Sequence, residues 1–218
     1  MPIHAPAVPP ATWARIRDAG HHVFATNAWP KASMSAIAKR AGVSKALLFY
    51  HFETKQALYL SLFHDALEFL HERKLAWNLD EEQDLFAAVE RTIEFRIAMM
   101  AEVPHLFRFL AAAYRETHEE VRAPLDAARK QVEIDTFDRL THTLDRARLR
   151  HPDELPTLLR IITLAAEGFV QRHEAAIFDD GIAALATFRA ILDSLKRHYY
   201  RPDFLEPGPP SKTLPEAP

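Results

Sequence analysis

Hydroxyl, cationic and imidazole side chains are concentrated between Ser33 and Lys55, in the segment SMSAIAKRAGVSKALLFYHFETK. Ser44 and Lys45 stand at the start of a helix-like stretch that continues to Phe52. A helix N-terminus carries the positive end of the helix dipole, and a hydroxyl and a lysine placed there suit phosphate oxygens and base edges. The chemistry that this segment favours is therefore binding of a nucleic-acid backbone.

A second set of residues has the spacing of metal ligands. Glu68 with His71 and Glu102 with His105 form two Glu-x-x-His pairs, and two such pairs, with two further glutamates, hold the di-iron site of ferritin-like bundles. Pro104 favours the first turn of a new helix, which leaves Glu102 outside that helix and breaks the i,i+3 geometry. A helical-bundle metalloenzyme stays an alternative, but no metal, cofactor or catalytic residue is predicted.

The composition excludes several classes of protein. Cysteine is absent from the 218 residues, which excludes disulfide scaffolds, thiol nucleophiles and cysteine-ligated metal sites. No apolar run reaches the roughly 18 residues that span a bilayer. The N-terminal MPIHAPAVPP also lacks the basic-then-apolar order of a signal peptide. We therefore expect a cytoplasmic protein without membrane association.

Charge is distributed unevenly along the chain. Residues 1–60 contain seven basic and two acidic side chains, a formal charge of +5. The remaining residues hold the other 20 basic and 28 acidic side chains, a formal charge of -8. A basic N-terminal segment followed by an acidic remainder is typical of proteins in which only the N-terminal segment binds a polyanion.

The distribution of proline and glycine predicts the fold class. Prolines cluster in residues 1–10 and 202–218, and the chain between them has few prolines or glycines and no alternating β-branched run. This pattern predicts an all-α fold of about nine helices. The expected helices span residues 11–27, 34–41, 45–51, 55–77, 83–101, 104–117, 124–148, 155–176 and 182–200.

Two of the short helices form a helix-turn-helix in this interpretation. Ser33 and Ser44 are N-cap residues because their hydroxyls can accept from orphan backbone N–H groups. Gly42 suits the end of the first helix, where a left-handed backbone is common. Leu48 and Phe52 close the small core, and the second helix would enter the major groove of DNA.

The segment from about residue 13 to residue 59 resembles the N-terminal domain of the TetR family of bacterial transcriptional regulators. The resemblance covers about one fifth of the chain and rests on the order and spacing of its motifs. They are the capping Ser33, Ile37-Ala38, Ala-Gly-Val-Ser at 41–44, Leu-Phe-Tyr-His-Phe at 48–52, and Thr-Lys-Gln-Ala-Leu at 54–58.

The resemblance implies which residues contact double-stranded DNA. Leu47 and Phe49 depart from the usual pattern, since the family often has hydroxyl-bearing residues there, and Leu47 could instead pack on a thymine methyl group. Lys55 resembles the family's phosphate-clamping lysine. The implied contacts are Ser33, Ser35, Ser44, Lys45, Ala46, Leu47, Phe49, Tyr50, His51 and Lys55.

The resemblance also implies a domain order and a small-molecule effector. The domains are a flexible arm (1–10), a helix-turn-helix DNA-binding domain (11–56), a ligand-binding and dimerisation domain (57–201) and a flexible Pro-rich tail (202–218). The resemblance implies an apolar or amphipathic effector, because in this family aromatic residues of these helices line the effector cavity; the same residues could instead fill the core. The candidate ligand contacts are Phe63, Trp77, Phe95, Arg96, Phe107, Tyr114, Phe137, Glu167, Gln171 and His173.

Two stretches near the C-terminus have apolar residues at 3-4 spacing. Two such helices pair with their copies in a second chain to form a four-helix bundle, and the resemblance implies dimerisation of this kind. The same spacing also suits helices that face the protein's own core, so both possibilities stay open. The candidate interface residues are Leu158, Ile162, Phe169, Leu185, Phe188, Leu192, Leu195 and Tyr199.

The sequence thus predicts a homodimeric, ligand-responsive regulator and not an enzyme. We expect a repressor that binds a pseudo-palindromic operator and is released by its effector. Besides the metalloenzyme, the alternative is a TetR-like ligand-binding protein without DNA readout.

Overall fold

The computed structural model describes residues 8–205, and within that range the chain is helical, with short 3-10 turns and a single antiparallel bridge between Leu149 and Tyr200. The predicted all-α fold is confirmed. No helix among these residues is long and apolar enough to cross a membrane. The α-helices are α1 (Pro10–Thr26), α2 (Met34–Ala41), α3 (Lys45–Phe52), α4 (Lys55–Ala76), α5 (Leu85–Glu102), α6 (Pro104–Arg115), α7 (Glu119–Thr143), α8 (Leu155–Asp179) and α9 (Gly181–Tyr199).

The predicted bounds of α7 are wrong at both ends. The helix begins at Glu119, so Pro124 lies inside it, and it ends at Thr143. A proline leaves the carbonyl four residues earlier without its helical partner. Here that carbonyl, of Glu120, accepts a hydrogen bond from the side-chain amide of Gln56. The tertiary contact thus compensates for the proline.

The predicted arm and tail lie largely outside the described residues, at 1–7 and 206–218. Within the described range, α1 already begins at Pro10, which suits the first helical position because its missing N–H needs no partner there. Residues 202–204 form a 3-10 turn. The described residues of the predicted arm and tail, 8–10 and 202–205, thus include the first residue of α1 and a 3-10 turn.

Local caps define the ends of the short helices. The Ser33 hydroxyl accepts from Ala36 N (3.1 Å), and the Thr54 hydroxyl accepts from Ala57 N (3.0 Å). Gly42 ends α2 with a left-handed backbone (φ 64°). Ile37 and Leu48 are fully buried and join α2 and α3 to the core.

The chain forms two compact units. The first comprises the described residues up to Glu81 together with Arg91–Leu140, and the second comprises Glu82–Glu90 and the described residues from 141 onward. The predicted boundary at residues 56 and 57 does not coincide with this division. The reason is that α1 packs against α6, with the rings of His21 and Phe109 stacked at 4.9 Å.

The second unit is held together by α8, α9 and a buried polar cluster. Tyr200 is 1% exposed, and its hydroxyl donates to Asp84 Oδ1 (3.2 Å). Arg148 Nη1 donates to Asp84 Oδ2 (2.9 Å). Burial raises the pKa of Tyr200 well above its ordinary value, so the phenol stays a hydrogen-bond donor.

Candidate nucleic-acid interface

The turn between α2 and α3 exposes the N-terminus of α3. The Ser44 hydroxyl accepts a hydrogen bond from Leu47 N (3.0 Å), which orders the first turn of the helix. In that turn Lys45 and Ala46 are exposed and Leu47 is half-buried. An exposed lysine at the positive end of a helix dipole is an arrangement that binds phosphate groups.

One face of α3 is buried, and two aromatic residues are exposed outside that face. Leu48 and Phe52 are 0% and 3% exposed, whereas Tyr50 is 81% and Phe49 is 41% exposed. Lys45 Nζ lies 5.4 Å from the centroid of the Phe49 ring, a cation–π contact worth about 0.5–1 kcal/mol at an exposed site. Phe49 thus helps to hold the lysine at the start of the helix, and Tyr50 offers a solvent-facing hydroxyl.

Three further predicted contacts lie on α2 and α3. Ser33 is the N-cap of α2, so its hydroxyl already accepts a backbone hydrogen bond. Ser35 is exposed in the first turn of α2. His51 is half-buried beside Tyr50, with ring centroids 5.0 Å apart. The Ser35 hydroxyl therefore does not cap the helix, unlike that of Ser33.

The side chain of Lys55, the predicted phosphate clamp, is held by backbone carbonyl groups. Its Nζ donates to the carbonyl oxygens of Trp29 (2.7 Å) and Ala32 (3.3 Å), and it lies 4.3 Å from the centroid of the Trp29 ring. These contacts tie the start of α4 to the loop between α1 and α2. Trp29, which the sequence analysis did not single out, is 2% exposed. The one local feature that could have indicated it is the position of an aromatic residue directly before Pro30 in a loop.

The charged side chains of this region are basic. Residues 19–52 contain no Asp or Glu, and Lys31, Lys39 and Arg40 are exposed within them. Nearby, Arg17 pairs with Asp65 of α4 (3.4 Å) and is partly neutralised. The exposed cations add a diffuse attraction for a polyanion that does not depend on sequence.

The predicted ligand contacts are divided between core and surface. In the first unit Phe63 and Phe95 are 1% exposed, and Trp77 packs edge-on against Phe95 with centroids 5.4 Å apart. Phe107 is also buried, whereas Arg96, Tyr114 and Phe137 are exposed. The other three, Glu167, Gln171 and His173, are exposed in the second unit. The ligand contacts stay a prediction.

Most of the predicted dimer seam faces the chain's own interior. Five of its residues are at most 5% exposed because α8 and α9 pack against each other; they are Leu158, Ile162, Leu185, Phe188 and Leu192. The rings of Phe169 and Phe188 lie 5.2 Å apart, and Leu195 and Tyr199 are half-buried. The 3-4 spacing therefore corresponds to the intrachain alternative, and a second copy would need another face of these helices.

The Glu-x-x-His pairs do not converge. Glu102 ends α5 and pairs with Arg73, and His105 lies in α6 against the ring of His22 (4.9 Å). Glu68 and His71 are exposed on α4. Among residues 8–205, no three His, Asp or Glu side chains are grouped to hold a metal ion.

Comparison with known sequences supports the interpretation of the N-terminal region. Residues 16–62 match the family profile described as bacterial regulatory proteins, tetR family. The HTH-type transcriptional activator FasR of Mycolicibacterium smegmatis is 38% identical over 80 residues, which are 35% of this chain and 36% of that protein. The match thus spans about a third of this curated relative.

Solved structures share the fold over nearly the whole chain. The SmeT–triclosan complex has a TM-score of 0.66 at 20% identity, covering 94% of this chain and 100% of that one. A TetR-like transcriptional regulator from Rhodococcus sp. RHA1 has a TM-score of 0.62 at 17% identity, covering 88% and 97%. NalD, the secondary repressor of the MexAB-OprM multidrug efflux pump in Pseudomonas aeruginosa, has a TM-score of 0.56 at 21% identity, covering 88% and 96%.

Proposed function

Since the chain belongs to the tetR family of bacterial regulatory proteins, we propose that it is a homodimeric, sequence-specific transcriptional repressor that a small molecule releases from its operator. The observation that carries this proposal is the first turn of α3. There a capped helix N-terminus and the exposed Lys45 occur together, and the exposed Tyr50 lies in the following turn; the region is free of acidic residues. This combination suits phosphate oxygens and base edges in the major groove.

A homodimer is supported by the outer face of α8. Leu164 is 59% exposed, and Gly168 follows one helical turn later. A Cβ added at Gly168 would meet no heavy atom within 4 Å, so no close approach among residues 8–205 uses this glycine. A mid-helix glycine costs about 1 kcal/mol relative to alanine, and close packing against a second copy would offset that cost. Two copies would also place two α3 helices on a pseudo-palindromic operator.

A small-molecule effector is supported by the relatives and not by a particular cavity. SmeT was solved with triclosan, and we extend small-molecule binding to this chain, in the apolar or amphipathic class that its aromatic residues favour. To move the population of DNA-bound conformers from 99:1 to 1:99, the effector needs about 5.5 kcal/mol of differential affinity. Repression follows the example of NalD, whereas activation would follow FasR. The site of action would be the cytoplasm, where the operator is accessible, and no catalysis is involved.

The test is a fluorescence-anisotropy titration of the full chain with DNA from upstream of its own gene, a scrambled duplex, and two salt concentrations. We expect preference for the upstream DNA by a factor of about 1,000 or more and an affinity that falls steeply with salt. Equal weak binding to both duplexes would contradict DNA readout and favour the ligand-binding alternative. A transcription assay on the same promoter separates repression from activation.

Three lysine variants show whether the contacts come from α3. Lys45→Ala should weaken operator binding and reduce the salt slope by about one for each subunit, because one phosphate contact is lost. Lys130→Ala, which removes the same charge from an exposed position on α7, should change neither. Lys55→Met should lower stability by about 1–3 kcal/mol, because two carbonyl groups lose a charged donor, while the salt slope stays the same. A normal slope in Lys45→Ala would remove Lys45 from the interface.

A further inference from the structure

A cluster of cations lies where the end of α9 meets residues 148–151 in the second unit. Leu149 and Tyr200 form an antiparallel bridge. Arg150 N donates to Tyr199 O (2.9 Å), and Arg201 N donates to Arg148 O (2.9 Å). These backbone bonds fix two short segments side by side, so the side chains that they carry are held in a defined arrangement.

An open cavity of about 270 Å³ lies at this junction. A water molecule occupies about 30 Å³ of the liquid, so the space exceeds what a few waters need and admits an oxyanion with part of an organic group. The cavity is lined by Arg150, His151, Glu154, Arg197, His198 and Tyr199.

Arg150 is preorganised within this cavity. Its Nε donates to Tyr200 O (2.7 Å), and one Nη donates to Arg197 O (3.5 Å). Both acceptors are neutral carbonyl groups at the end of α9, so the guanidinium is oriented while its charge is left without a carboxylate partner among the described residues. Fixed guanidinium planes are well suited to bidentate binding of oxyanions.

The neighbouring cations outside the cavity are neutralised, unlike those inside it. Arg148 and Lys196 pair with Asp84, and Arg201 pairs with Asp203. In contrast, the side chains of Arg197, His151 and His198 have no hydrogen bond or ion pair within the described chain. The basic residues in the last turn of α9 would by themselves be explained by the negative end of the helix dipole. Arg150 and His151, however, come from a different segment and face the same space.

We propose that this cavity binds a small molecule bearing a phosphate or sulfate group. Two guanidinium groups oppose one carboxylate, Glu154, so the cavity carries a formal charge of +1 even with both imidazoles neutral. An oxyanion offsets the mutual repulsion of the two arginines and accepts hydrogen bonds from their uncommitted N–H groups. The site lies within the second unit and shares no residue with α3.

The experiment is isothermal titration of the full chain with sulfate, and then with inorganic phosphate, at constant ionic strength set by chloride. We expect saturable binding with a Kd on the order of 1 mM or tighter. Arg197→Gln should weaken that binding about tenfold or more, and because this side chain has no partner to lose, the melting temperature without ligand should stay unchanged. Glu154→Gln should tighten binding, since it removes the one opposing charge.

The matched control is Arg201→Gln, which removes the same charge at the same end of the unit but does not line the cavity. We expect sulfate affinity in this variant to equal that of the parent chain. Equal losses in Arg197→Gln and Arg201→Gln would overturn the proposal, because the binding would then reflect net charge alone. Absence of saturable binding to either anion would overturn it as well.

Discussion

At the scale of single residues, His21 shows how burial changes the chemistry of a titratable group. It is 3% exposed between α1, α4 and α6, and its Nε2 has no hydrogen-bond partner within residues 8–205. Burial lowers the pKa of His21 from 6.5 to about 4, against the opposing effects of the Leu62 carbonyl and the Asp65 carboxylate. The imidazole is therefore neutral at pH 7 and acts as a packing group stacked on Phe109.

His21 should make stability depend on pH. In the unfolded chain the imidazole binds a proton as the pH falls below about 6.5, but in the folded chain it does so only near pH 4. The neutral, buried imidazole therefore makes its full contribution to the free energy of unfolding above pH 6.5. This contribution decreases by about 3 kcal/mol as the pH falls toward 4. His21→Phe keeps the ring and should flatten this part of the profile.

The measurement for His21 is urea denaturation of the parent chain and His21→Phe at several pH values between 7 and 4. The difference between the two profiles isolates the histidine from the carboxylates, which titrate in both. Parallel profiles would show that His21 does not take up its proton on unfolding.

At the scale of elements, the turn between α2 and α3 depends on one backbone conformation. Gly42 has φ 64° and ψ 38°, and its N–H and that of Val43 bond to carbonyl groups in the last turn of α2. A side chain in this left-handed region costs about 1–2 kcal/mol. The orientation of α3 therefore depends on a residue that contributes no side-chain contact.

Gly42→Ala should destabilise the chain by about 1–2 kcal/mol through backbone strain. The nearest atom to the added Cβ would be Arg15 Nη1 at 3.5 Å, an ordinary contact, so steric overlap does not contribute. Asn tolerates the left-handed region better than Ala, so Gly42→Asn should lose less. Thermal denaturation of the three proteins gives the order, and equal losses in the two variants would point to a cause other than backbone strain.

At the scale of the whole molecule, the buried and the exposed leucines of α8 and α9 differ in role. The buried ones stabilise the fold, and the exposed ones are available to a second copy. Leu192 is 1% exposed, whereas Leu164 is 59% exposed. Both are leucines on the two helices that carry the candidate interface residues, yet only Leu164 of the two is accessible in the single chain. An interface therefore requires the outer face, and mutation of the inner face would damage the fold.

Leu164→Glu should produce folded monomers, because a charge on the outer face would be desolvated only in the dimer. Leu192→Glu should instead abolish cooperative unfolding or expression of folded protein, because a carboxylate would be buried in the chain's own core. Light scattering gives the mass, and circular dichroism gives the helical content. A folded dimer that persists in Leu164→Glu would move the interface to another surface.

The sequence by itself determined the features that depend on neighbours a few residues away. The all-α fold and the bounds of α2 follow from apolar spacing, from the hydroxyl of Ser33 three residues before the N–H that it caps, and from Gly42 just past the last turn. The resemblance of this segment to TetR regulators rests on the same residues, and the match over 16–62 confirms it. Such interactions form within one or two helical turns, so their partners are already adjacent in the sequence.

Only the tertiary structure decided the features whose partners are distant along the chain. Lys55 Nζ reaches the carbonyls of Trp29 and Ala32 because folding brings α4 across the preceding loop. Gln56 satisfies the carbonyl that Pro124 leaves unpaired in α7 for the same reason. The seam of α8 and α9 was undecided because apolar residues at 3-4 spacing bury equally well against the same chain or another. Periodicity specifies a face to be buried, whereas the identity of the surface that covers it depends on the whole fold.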